Sequence, residues 1–172
     1  MSFKVKTSVE RFSDSAIWAF HMPVPADIAN QLIGENRRVL CSIKGGKQIH
    51  VPLMHDGSGG FFINLNKELM KTHELQQHDK IAIELEKDNS KYGMFVPDFF
   101  EELCYQDPEG NDIFHRLTMG KQRNLLHLIG KPKSEQKQLE KALIIFEYLK
   151  ESGGELDFKA LNEAFKNSRF KQ

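Results

Sequence analysis

Residues 38–54 read Arg-Val-Leu-Cys-Ser-Ile-Lys-Gly-Gly-Lys-Gln-Ile-His-Val-Pro-Leu-Met, and this stretch decides the fold. Apolar or thiol side chains occupy every odd position from Val39 to Ile43 and again from Ile49 to Leu53, which is the pattern of strands that bury one face. The glycines between the two runs predict a hairpin. A three-residue loop over residues 45–47 keeps both odd sets on one face, whereas a two-residue loop does not. We therefore expect four cross-strand pairs: Lys44 with Gln48, Ile43 with Ile49, Cys41 with Val51, and Val39 with Leu53.

The same kinds of element occur twice along the first half of the chain. Residues 16–43 and residues 60–85 each run through an aromatic strand, a short helix, a polar turn and an alternating strand. Ile28 and Leu69 are the central aliphatic residues of the two helices. Before this repeat, a first strand is expected from Phe3 to near Phe12. Pro23 is expected to end the strand of residues 16–22.

Two such ββαβ units related by a pseudo-twofold axis are predicted to close on each other as a small β-barrel with six to seven strands. The two short helices would cap its ends. We assign residues 1–91 to this barrel domain and residues 92–172 to a helical region, which makes the fold class α+β. Residues 92–96 are apolar and are expected to lie against the barrel, so that the helical region packs on it.

Helical periodicity begins near Pro97. A first helix over residues 97–105 is expected to be broken by the Asp-Pro-Glu-Gly sequence at residues 107–110, and Asp112 is expected to cap a short second helix. A third helix is predicted over residues 119–129. Ser134 caps the longest helix, which continues to Ser152, and Asp157 can start a last one.

Composition excludes several classes of protein. The chain has 172 residues with 24 basic and 24 acidic side chains, so its formal net charge is zero. We therefore expect no nucleic acid partner, because nonspecific affinity for nucleic acid depends on neutralising phosphates. The two cysteines, Cys41 and Cys104, lie in apolar patterns and are expected to be free thiols. No apolar run is long enough to span a membrane, so we expect a cytoplasmic protein without a membrane partner.

Charge is the clearest local signal in the helical region. Residues 97–114 hold six acidic residues and no lysine or arginine, whereas residues 116–141 hold seven basic residues. Lys121 and Arg123, with neighbouring His127, are candidate ligands for a phosphate or carboxylate. The alternative is a solvated or internally paired face. Trp18 is a candidate for the mouth of a pocket, with a core aromatic as the alternative.

Motifs for metal ions, cofactors and catalysis are not found. The seven histidines have no ligand spacing, and His73 and His78 are five residues apart. The Gly-Ser-Gly-Gly sequence at residues 57–60 lacks the Lys-Ser/Thr ending of a phosphate loop, and no serine lies in a nucleophile elbow. We therefore expect no metal, no cofactor and no catalytic residues.

Several motifs resemble those of the YdeI/OmpD-associated family. They are residues 39–43 with the glycine turn, Asp56-Gly57 before an aromatic strand, Val96-Pro97-Asp98, and Phe114, Leu117, Gly120-Lys121-Gln122-Arg123 and Ile129 in the helical region. The resemblance implies that the barrel is a domain of unknown function similar to the double-split β-barrel of AbrB-type transcription factors. Some relatives in that family are linked to bacteriocin protection. The family's Lys followed by Thr-Arg in the helical tail is replaced here by residues 133–137, Lys-Ser-Glu-Gln-Lys.

These observations favour a noncatalytic binding or interaction protein, whose partner is a small molecule, a peptide or another protein. The family resemblance adds a link to bacteriocin or stress protection. Two alternatives stay open: a DNA-binding protein of the AbrB-like barrel type, and an enzyme that uses a groove between barrel and helices. The first is weakened by the twelve basic and eleven acidic residues in residues 1–91. The oligomeric state is left open.

Overall fold

The computed structural model describes residues 1–14 and 19–168. The chain divides into two compact units, Met1–Met94 and Phe95–Gln172. In the described residues of the first unit the strands are β1 (Ser2–Ser8), β2 (Glu10–Arg11), β3 (Phe20–Val24), β4 (Arg38–Ile43), β5 (Ile49–Pro52), β6 (Met54–His55), β7 (Phe61–Leu65) and β8 (Lys80–Lys87). They form two antiparallel sheets with the orders β1-β8-β4-β5, here sheet A, and β2-β3-β7-β6, here sheet B. Side chains from the facing sides of both sheets make one buried core.

Single residues carry the chain from sheet A to sheet B at two places. Val9 lies between β1 and β2, Leu53 lies between β5 and β6, and both side chains are buried. The Val9 N–H donates to the Asp79 carbonyl (2.9 Å), and the Leu53 N–H donates to the Arg37 carbonyl (2.7 Å). Arg37 and Asp79 directly precede β4 and β8, so the two halves of the unit place equivalent residues at equivalent positions.

The strand orders follow the same twofold relation. Exchanging β1 with β5 and β4 with β8 leaves sheet A unchanged, and exchanging β2 with β6 and β3 with β7 does the same for sheet B. The cross-strand pair of Lys6 with Ala82 is then equivalent to the pair of His50 with Leu40. Each position on the β1–β8 side of sheet A therefore has a counterpart on the β5–β4 side.

The α+β class is confirmed, with antiparallel sheets before a helical second half. The predicted closure into one barrel is not confirmed, because the strand pairing across residues 1–14 and 19–168 makes two separate sheets. One physical reason lies in Pro23. The β2–β3 ladder pairs Glu10 with His21, and its continuation would bring Ser8 opposite Pro23. Proline has no N–H to donate, so the ladder stops and β1 pairs with β8 alone at this level.

The β4–β5 hairpin differs from the predicted register by two residues, since Val39 pairs with Val51 and Cys41 with Ile49. The Gly46 N–H donates to the Ile43 carbonyl (2.9 Å). Lys44 and Gly45 both have positive φ (50° and 72°), as in a type I′ turn that begins earlier than expected. A shift of two preserves the faces, and burial of the odd residues is confirmed for Val39, Cys41, Ile43, Val51 and Leu53.

Two short helices, α1 (Ala26–Leu32) and α2 (Lys67–Thr72), follow β3 and β7. Ile28 and Leu69 are partly buried against the core between the sheets. Pro23 lies inside β3 opposite Phe62, so the prediction that it ends the sheet is wrong. Proline is tolerated because β2 pairs only with Phe20 and His21, which leaves no ladder bond to residue 23 on that side.

The second unit consists of helices in its described part: α3 (Phe99–Gln106), α4 (Pro108–Arg116), α5 (Met119–Gly130), α6 (Glu135–Glu151) and α7 (Phe158–Asn167). Its core includes Phe100, Phe114 and Phe146. The expected break is confirmed, because α3 ends at Gln106 and Asp107 lies outside both helices. The expected cap at Asp112 is wrong: the Asp107 side chain accepts from the Gly110 N–H (2.9 Å), and Pro108 is the first residue of α4. Among the described residues, no helix is long and apolar enough to cross a membrane.

Candidate ligand-binding groove

A groove opens where β1 and β3 diverge. The two strands approach each other through β2, whose ladder with β3 ends at Glu10 and His21. Beyond that point β1 follows β8 and β3 follows β7. The space between the diverging strands has a volume of about 730 Å³, which is within the usual range for ligand sites. It is lined by Lys6, Thr7, Ser8, Glu10, Pro23, Val24, Pro25, Lys80, Ile81 and Ala82.

The walls of this groove are mostly apolar. Val24 and Ile81 are 4% and 5% exposed and join the groove to the core, while the rings of Pro23 and Pro25 add apolar surface that carries no donor. One polar bond bridges the two strands here, because the Thr7 hydroxyl donates to the Pro23 carbonyl (2.7 Å). The apolar part of a ligand can therefore enter the groove without leaving a buried polar group of the walls unpaired.

The rim is charged and favours anions. Lys6 on β1 and Lys80 on β8 are exposed on the same outer face of sheet A as Ala82, because alternate residues of a strand share a face. Among the described residues that line the groove Glu10 is the acidic one, and its carboxylate accepts from the Ser8 hydroxyl (2.8 Å). Two ammonium groups against one carboxylate leave the rim net positive.

A buried carboxylate occupies the counterpart position on the β5–β4 side. Asp88 is 3% exposed, and its Oδ2 accepts from the Nδ1 of His50 (2.7 Å). The other oxygen, Oδ1, accepts from the hydroxyl and the N–H of Ser90 (2.5 and 2.9 Å). Burial acts to raise the pKa of Asp88, but the hydrogen bonds from His50 and Ser90 outweigh it and lower the pKa.

Arg38 completes this polar cluster. Its Nε donates to the Gly93 carbonyl (2.5 Å), its Nη2 donates to the His50 carbonyl (3.4 Å), and its own carbonyl accepts from the Asp88 N–H (3.3 Å). Gly93 has a φ of 65°, and a Cβ there would lie 2.4 Å from Arg38 Cδ, so the close approach requires glycine. Residues 88–93 are thereby fixed to β4 and β5.

The predicted site residues lie elsewhere. Lys121, Arg123 and His127 are on α5 in the second unit, where Lys121 and His127 are exposed and Arg123 is half-buried. Arg123 and His127 are four residues apart and share a helix face, but Lys121 is two residues from Arg123 and points to another face. The structure thus brings together two of the three on one face. Trp18 lies outside the described residues.

Sequence reasoning missed the groove and the buried carboxylate. Asp88 lies in the polar sequence Lys-Asp-Asn-Ser-Lys at residues 87–91, in which Asp-x-Ser is a common local turn and gives no sign of burial. Pro23 was interpreted as an end of the sheet rather than as the cause of a split. A proline inside an alternating pattern is the signal that would have pointed to diverging strands.

Comparison with known families gives one match. Residues 6–85 match the family described as a domain of unknown function, DUF1905. The matched residues include every residue that lines the groove, from Lys6 to Ala82. No curated protein matches the chain.

Proposed function

We propose that the protein is a noncatalytic binding protein whose ligand lies in the groove between β1 and β3. The observation that carries this proposal is the apolar space of about 730 Å³ beside two exposed lysines. Burial of apolar ligand surface against the exposed side chains of Pro25 and Ala82 contributes to the affinity at roughly 25 cal/mol per Å². Binding needs no catalytic group.

Binding of an uncharged fluorescent probe tests this function. Phenylnaphthylamine is expected to gain fluorescence when it enters the groove of the full chain. Ala82 is exposed and lines the groove, so Ala82→Trp fills the space and is expected to weaken probe binding by about tenfold. Lys4→Trp is the matched control, because Lys4 is exposed on the outer side of β1 but does not line the groove. Equal binding to both variants would contradict the proposal.

We propose further that the first unit is a double-split relative of the AbrB-type barrel and that the chain is a YdeI/OmpD-associated protein acting in the cytoplasm. Support for the architecture comes from the twofold strand order and the crossings at Val9 and Leu53. Support for the family comes from the DUF1905 match together with the motifs at residues 96–98 and 120–123. The DNA-binding and enzyme alternatives stay predictions.

A further inference from the structure

The two ends of sheet A are equivalent in fold but differ in what covers them. Under the twofold relation, Lys6 is the counterpart of His50, Lys80 of Arg38 and Ala82 of Leu40. On the β5–β4 side His50 and Arg38 contact the chain's own residues 88–93 through the bonds to Asp88 and Gly93. On the β8–β1 side the groove is open.

The chain's path after the two central strands explains the difference. After β8 the backbone continues along the sheet, and the Asp88 N–H donates to the Arg38 carbonyl (3.3 Å). After β4 the chain turns back, because the Gly46 N–H donates to the Ile43 carbonyl (2.9 Å) in a tight turn. The residues that directly follow β4 therefore lead into β5 and do not take the place that residues 88–93 take after β8.

The covering segment shows what chemistry fits such a position. Its Asp88 carboxylate binds His50, and the Asp88 N–H bonds to β4 at Arg38. The same segment also contains a buried aromatic side chain, Tyr92. The open counterpart offers two lysines at the equivalent positions and exposed apolar side chains at Pro25 and Ala82. The covered position thus holds a carboxylate beside a histidine, and the open position presents two ammonium groups that a carboxylate would complement.

We propose that the open groove binds a segment of polypeptide that carries an acidic residue followed by an apolar or aromatic one. The carboxylate lies between Lys6 and Lys80, and the apolar side chain packs on the exposed side chains of Pro25 and Ala82. This inference rests on the proposed binding function and names its partner class. A polypeptide is favoured over a small anionic amphiphile because His50 and Arg38, the counterparts of Lys6 and Lys80, are bonded to a segment of polypeptide through both main-chain and side-chain atoms.

A synthetic peptide tests the inference on the full chain. The probe has the sequence of residues 88–94 with alanine in place of the lysine, acetylated and amidated: Asp-Asn-Ser-Ala-Tyr-Gly-Met. Titration is expected to show saturable binding that weakens about fivefold when asparagine replaces the aspartate. The double variant Lys6→Glu with Lys80→Glu is expected to weaken binding by about tenfold, because two attractions become repulsions. Lys47→Glu, an exposed charge reversal in the β4–β5 turn, is expected to leave it unchanged.

The outcomes separate this inference from the proposed function. If phenylnaphthylamine binds in the groove but the peptide does not, the peptide inference fails and the binding function stands. If neither binds, both fail. Decanoate that binds more tightly than the peptide would overturn the polypeptide class in favour of a small amphiphile. Sedimentation showing a dimer that Lys6→Glu dissociates would assign the groove to a second copy of the chain and overturn the inference as well.

Discussion

The β5–β4 end and the β1–β8 end of sheet A occupy the same place in the two halves of one repeated fold. At the first, His50 and Arg38 are bonded to residues 88–93, and a carboxylate is buried. At the second, Lys6 and Lys80 stand at the rim of an open groove. Where the chain supplies its own cover, the position contributes to stability. Where it does not, the position is available to a ligand, and its residues should matter little for folding.

The largest expected effect is on the covered end. Asp88→Ala removes the acceptor of three hydrogen bonds and leaves His50 and Ser90 without their partner. We expect a loss of about 2–4 kcal/mol in the free energy of unfolding, measured by urea denaturation of the full chain. Lys6→Ala at the open end should change it by no more than about 0.5 kcal/mol. Similar losses for both variants would show that the two ends do not differ.

A smaller loss is expected from Gly93→Ala. The added Cβ would meet the Arg38 side chain at 2.4 Å, and the φ of 65° is unfavourable for alanine. Together these should cost about 2 kcal/mol in unfolding free energy. Gly45→Ala is the matched control, because its φ of 72° is similar but nothing lies within 4 Å of the new Cβ, so only the backbone cost of about 1 kcal/mol remains. An equal loss at both glycines would mean that the contact with Arg38 contributes nothing.

Low pH is expected to remove the contribution of the covered end to the free energy of unfolding. The folded pKa of Asp88 is lowered from its ordinary value of 3.8, so the carboxylate contributes stability above that value and loses it as the pH falls through the folded pKa. The stability gap between the wild type and Asp88→Ala is therefore expected to be constant near neutral pH and to shrink below pH 3.8. A gap that widens as the pH falls below that value would contradict the sign of the shift.

Part of the fold of the first unit could be predicted from the sequence. The alternation in residues 38–54 gave the buried face of β4 and β5, because side-chain period depends only on the strand. The register could not be predicted, since it depends on Lys44 adopting positive φ beside two glycines that can adopt it more easily. The repeat of elements was visible, but the crossings at Val9 and Leu53 are set by long-range bonds to Asp79 and Arg37.

The site was harder to predict than the fold for a physical reason. Lys6, Pro23 and Lys80 are distant in sequence and meet only because proline interrupts one ladder while another continues. Asp88 is buried by partners from β5, which no local pattern around residues 87–91 reveals. The candidates Lys121, Arg123 and His127 were chosen from charge along one helix, and helical geometry places one of them on a different face.

The most direct test of the open and covered ends is a map of amide chemical shifts in the isotope-labelled full chain as the acidic peptide is added. Binding in the groove predicts the largest shifts at Lys6, Ser8, Lys80 and Ala82, with His50 and Leu40 unmoved. Shifts centred on β4 and β5, or none at the four groove residues at saturating peptide, would contradict the account.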